Sequence, residues 1–194
     1  VVLGQVDDFE NGTTMGWAEG GVSPNPPTNV ATGGPAGLND NFLQNVSSGS
    51  SGAGGRMIMF NNAQWTGDFV AAGVTRVDAM VRASGVPMSL RIGLSNSSGD
   101  IFVSDPAFAL LNNGAWTAAS FDLTAGAMTR VQGIGSLTDV LSDVFEMRIL
   151  SAASPSWLGD PINAILSVDN IVAAPEPNAL ALLGLGALLL NRRR

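Results

Sequence analysis

The 194-residue chain carries nine arginines and no lysine against sixteen acidic residues, and it contains no His, Cys or Tyr. That inventory excludes a Ser-His-Asp triad, a thiol nucleophile, a Schiff-base lysine, a histidine-held zinc and any disulfide framework. Upstream of Ala173 six arginines face fifteen acids, a net charge of −9, and no basic stripe exists that would hold nucleic acid.

The chain opens at Val1 without a methionine, a basic region or a long apolar run, which reads as what is left after a leader has been trimmed. An acidic motif follows, Val6-Asp7-Asp8-Phe9-Glu10-Asn11-Gly12, and then Trp17. Residues 19–41 are rich in Pro and Gly and predict an extended surface loop. Residues 47–55 are small and polar and predict a hairpin tip.

Strand patterns begin after that tip. Met57 to Phe60 is continuously apolar and predicts a central strand buried on both faces. Val77, Ala79 and Val81 alternate with Asp78, Met80 and Arg82, and Met88, Leu90, Ile92 and Leu94 share one face opposite Ser89, Arg91 and Gly93. Trp116 leads into a strand marked by Phe121 and Leu123. A short helix is expected over Thr138 to Ser142, capped by Ser136 or Thr138. Phe145, Met147 and Ile149 alternate with Glu146 and Arg148, and Ile165 to Val172 is apolar on both faces, as in a central strand. With 24 glycines and 10 prolines punctuating these runs, the pattern is an all-β sandwich of two antiparallel sheets over residues 1–172.

The end of the chain is of another kind. Residues 173–178 read as a linker holding Pro175, Glu176 and Pro177, and residues 179–194 as an apolar run closed by Arg192, Arg193 and Arg194. Twelve apolar residues rise only about 18 Å as a helix, short of a bilayer core of roughly 30 Å, so the run is a marginal span. Terminal arginines place that end in the cytoplasm and the upstream domain outside. The competing reading is a C-terminal helix packed on the domain, although the run is apolar all round rather than along one stripe.

Proline motif, apolar run and arginine cluster, in that order at the chain end, resemble the PEP-CTERM sorting signal. The resemblance implies an exported protein, transient insertion in the inner membrane, cleavage near Pro175-Glu176-Pro177 by an exosortase, and delivery to the cell surface or beyond. The first acidic motif together with Leu166-Ser167-Val168-Asp169-Asn170-Ile171 resembles the opening and closing strands of jelly-roll domains of the carbohydrate-binding-module and galactose-binding-like type. That resemblance implies a jelly roll and a structural calcium held by Asp8, Glu10 and Asp169, a set of oxygens suited to that ion. Gln64-Trp65-Thr66-Gly67-Asp68-Phe69 and Met147-Arg148-Ile149-Leu150 also resemble a region recurrent among PEP-CTERM proteins, one that implies no activity.

Three functions stay open on this reading: a non-enzymatic surface or matrix protein, a module that binds exopolysaccharide, and a glycoside hydrolase working through a carboxylate pair. Trp65 and Trp157, in loop contexts, are the candidate stacking platforms for sugar rings, with packing as the alternative role for each. No organic cofactor is expected.

Overall fold

A computed structural model describes residues 1–176. Twelve strands and two short helices occupy them in the order β1 (Val6–Asp7), β2 (Thr28–Val30), β3 (Phe42–Ser48), β4 (Ile58–Asn61), α1 (Phe69–Ala72), β5 (Arg76–Ser84), β6 (Met88–Asn96), β7 (Ile101–Ser104), β8 (Phe108–Leu110), β9 (Thr117–Asp122), β10 (Met128–Gln132), α2 (Leu137–Leu141), β11 (Val144–Ser151) and β12 (Asn163–Ala174). The strands form two antiparallel sheets. Sheet A runs β2-β3-β12-β5-β9 with β1 on β12, and sheet B runs β10-β7-β6-β11-β4 with β8 on β6.

Period-2 patterning explains how the sheets face each other. Val77, Ala79, Val81 and Ala83 of β5 and Leu166 and Val168 of β12 meet Leu90, Ile92 and Leu94 of β6 and Met147 and Ile149 of β11 in one buried core. β12 lies between β3 and β5; Leu166 and Val168 face the core, whereas its outer face carries Ser167 beside Ile165, so that face is not wholly apolar as expected. β12 remains paired through Ala174, opposite Arg76. The strand therefore overruns the expected linker boundary at residue 173, because Ala173 and Ala174 are buried small residues that continue the ladder.

Five expectations change. Residues 47–55 do not turn a hairpin: the chain crosses there from β3 in sheet A to β4 in sheet B. The run from Met57 to Phe60 becomes β4 at the edge of sheet B, not a central strand, and its open side is covered by a bridge between Ala18 and Phe60. Residues 19–41 are not wholly loop, since Thr28–Val30 pairs with Phe42–Gln44. Phe145 does not share the core face of Met147 and Ile149: the register slips between Val144 and Glu146, and Phe145 is 57% exposed. The expected helix starts one residue earlier, at Leu137, with Ser136 and Asp139 forming a reciprocal capping box. The expected apolar helix over 179–190 lies outside the described residues.

Candidate functional site

The N-terminal acidic motif divides its side chains between core and surface. Pairing of β1 with β12 sets Asp7 opposite Ile171 and turns it inward, where it is 1% exposed. Its Oδ2 accepts the indole N–H of Trp17 at 2.8 Å, that of Trp65 at 2.7 Å and the Gln64 carboxamide at 3.1 Å. Burial pushes the Asp7 carboxyl above the usual range, against the pull of those three donors. Trp65 is fully buried. Its expected role as a stacking platform is thereby corrected: the loop holding it is at the surface, but Asp7 draws the ring into the core and leaves no face for a ligand.

Asp169 stands at the other side of the same junction. A bulge in β12 between Asp169 and Val172 puts Asn170 in the left-handed region at φ 49°. Both Asp169 oxygens then accept from Asn170, one from its backbone N–H and one from its carboxamide, each at 2.7 Å. Asp169 is fully buried, and among the described residues no arginine is paired to it. Burial, and then the charges of Asp40, Glu10 and Asp8, push its carboxyl up to about 7. Asp40 was not among the residues singled out from the sequence, since a loop acid carries no strand pattern. Asp8 Oδ1 accepts from the Glu10 N–H at 3.3 Å, and Glu10 Oε1 accepts from the Asn41 N–H at 2.8 Å. Asp8, Glu10 and Asp169 thus share one electrostatic neighbourhood. Among the described residues, no three acidic side chains gather tightly enough to hold a metal as they stand.

The outer face of sheet B carries a groove built around Trp157. Gly93 of β6 makes room for it: a Cβ there would lie 2.8 Å from the ring. Arg148 of β11 stacks its guanidinium 3.8 Å from the ring centroid and donates to the Trp157 carbonyl at 2.8 Å. The same arginine is fixed by Glu146 at 2.6 Å. Glu146, Arg148 and Trp157 line a hollow of about 350 Å³ together with Ser95, Asn96, Ile101 and the exposed Phe145. Across Arg148 a second hollow of about 270 Å³ extends toward β4, lined by Ile58, Phe60, Leu158, Arg56 and Glu19. Both Glu19 oxygens are enclosed there without a donor of normal geometry, and burial pushes this carboxyl up. Trp157 is half-buried, so the structure keeps it as a ring at the groove wall. Glu146 and Arg148 are legible in the sequence as the polar face of a strand. Phe145 is not, because only the bulge turns it outward.

Among the sorting residues, Pro175 and Glu176 are described and follow directly on the paired end of β12, where the Thr75 N–H donates to the Ala174 carbonyl at 3.0 Å. Pro177, Arg192, Arg193 and Arg194 lie outside the described residues. Residues 173–194 match the PEP-CTERM protein-sorting motif. The chain ends in a PEP-CTERM sorting signal. This signal marks export and sorting to the surface or the extracellular space.

Several solved structures superpose on this chain at low identity. An exo-beta-agarase superposes with TM-score 0.60 and 12% identity over 90% of this chain, which spans only 25% of the agarase. The family 11 carbohydrate-binding module of Clostridium thermocellum, in complex with a β-1,3-1,4-mixed-linked tetrasaccharide, superposes with TM-score 0.54 and 12% identity over 91% of this chain and 99% of its own. The CBM22-1–GH10 modules of xylanase 10B from the same organism give TM-score 0.53 and 15% identity over 92% of this chain and 29% of that one. At such identities the likeness establishes the jelly-roll fold. No curated protein matches the chain in sequence.

Proposed function

We propose that this PEP-CTERM protein is a non-catalytic component of the cell surface or extracellular matrix, processed by an exosortase, whose sandwich engages polysaccharide through the groove on sheet B. The observation that carries the reading is the clamped Trp157: an indole fixed by Gly93 and Arg148 beside Glu146, Ser95 and Asn96 combines an apolar ring with fixed polar groups, as sugar sites require. Glycoside hydrolysis finds little support in the same groove. Glu146 is bound to Arg148 and the Glu19 oxygens are enclosed, so the two do not offer a free acid and base. The test is retention of the purified protein on a panel of immobilised polysaccharides. Trp157→Ala is expected to lose retention that the unaltered protein shows, and retention unchanged by that substitution would overturn the groove.

A calcium ion bound beside Asp169 belongs to the same proposal. A fully buried carboxylate with three acidic neighbours and no arginine paired to it among the described residues is costly, and a hard divalent cation would remove that cost. Glu10, Asp8 and Asp40 would turn toward it, with the Asn29 and Asn41 carboxamides, which already hold the Phe9 carbonyl, supporting the loop. The ion would serve stability by tying β1 to β12.

A further inference from the structure

The opposite face of the sandwich carries a site of different chemistry. β3, β12 and β5 present Gln44, Ser167, Arg82 and Ser84 outward, and with Asn112 and Ile165 they line a hollow of about 350 Å³. None of its lining residues is acidic. The guanidinium of Arg82 is held in place by two rings, 4.6 Å from the Trp116 centroid and 5.0 Å from that of Phe42. The rings pack edge to face at 5.4 Å, and Trp116 is anchored by its indole N–H on the Gly33 carbonyl at 3.1 Å. Arg82 spends one weak bond on the same carbonyl, at 3.3 Å, and has no carboxylate partner among the described residues. A guanidinium has five N–H donors in a planar fork that matches a carboxylate.

We infer that the outer face of sheet A is a second ligand site, in which Arg82 receives the carboxylate of an acidic sugar while Gln44, Ser167 and Asn112 face its hydroxyls. The choice of a sugar rests on the polysaccharide reading above; the carboxylate contact rests on Arg82 alone. Because sheets A and B lie back to back, the protein would hold two chains at once, one on each face, and so act as a cross-linker of a matrix. The domain's net negative charge does not prevent this, since it is screened beyond about 8 Å at physiological ionic strength.

Titration calorimetry of the full chain in mild detergent tests it with tetragalacturonate, the methyl ester of the same oligosaccharide, a galactose sulfate and a neutral mixed-linked glucan. Binding of the acid with at least tenfold preference over the ester is expected, together with weakening as salt rises. Arg82→Gln should lower affinity for the acid at least tenfold, and Arg82→Lys should recover only part of it. If Arg82→Gln lowers the melting temperature, Gln44→Leu serves instead, with an expected loss of threefold or more. Equal binding of acid and ester, no binding of the acid, or full affinity in Arg82→Gln would overturn the site. Preference for the sulfate over the uronate would overturn the choice of acidic sugar. Binding of the neutral glucan alone would leave the sheet B groove standing and remove this one; binding of the acid alone would do the reverse.

Discussion

At Asp7 one buried carboxylate accepts both indole N–H groups of Trp17 and Trp65, so the N-terminal strand is tied to two loops through a single oxygen. The two tryptophans singled out from the sequence should then separate by experiment. Trp65→Ala is expected to cost about 3–5 kcal/mol by denaturant unfolding, through the cavity it leaves. Trp157→Ala, on the surface, should cost under about 1.5 kcal/mol, and a larger loss there would show that it is packing. Their sequence contexts look alike because a loop residue's side-chain direction has no periodic signature. What distinguishes them is a partner 58 residues away. Asp169 makes the pH prediction. A carboxyl whose folded pKa is raised contributes stability below its unfolded value, near 3.8, and loses it as pH climbs through the folded value, here about 7. Asp7 is shifted in the same direction. In chelator the melting temperature should therefore fall between pH 5 and pH 8. Added calcium should raise the melting temperature and flatten that fall, and Asp169→Ala should remove most of the calcium response. A melting temperature that ignores calcium at every pH would reject the ion.

Among the elements, β11 and β6 together make the groove, because the slip at Phe145 and the missing side chain at Gly93 shape one wall each. Gly93→Ala places a methyl 2.8 Å from the Trp157 ring, and the surface loop rather than the core must give way. The expected result is loss of polysaccharide retention with a stability change below about 3 kcal/mol. Intact retention would mean that the ring's seat does not matter to binding. The nine-residue strands β5 and β6 declared themselves by alternation, and of the two candidate caps for α2, Ser136 and Thr138, the structure uses Ser136. β2, β3, β7, β8 and β10 were missed. β3 has seven residues, but its buried positions include the polar Asn45 and Ser47, which hides the alternation. The others hold three to five residues each, too few to show a period, and they are strands only because a longer neighbour offers a ladder.

For the whole molecule, address and fold were readable while the ligand was not. The sorting signal is a local string whose meaning survives outside any fold, and the sandwich follows from turn rhythm and apolar alternation. The groove depends on residues from β6, β7, β11 and the loop at Trp157 meeting across the outer face of sheet B, which no single stretch encodes. Because β12 is paired through Ala174, the motif abuts the folded domain. Glu176→Ala should leave unprocessed protein in the membrane fraction of an exosortase-bearing host, and mass spectrometry of released protein reads the outcome. Release with an intact Arg194 would contradict processing. Hydrogen exchange with and without a polysaccharide that retains the protein tests the polysaccharide-binding groove on sheet B. With a neutral polysaccharide, slowed exchange is expected in residues 92–96, 145–150 and 156–158 alone. Protection elsewhere with none in those segments, or no retention on any polysaccharide, would contradict it.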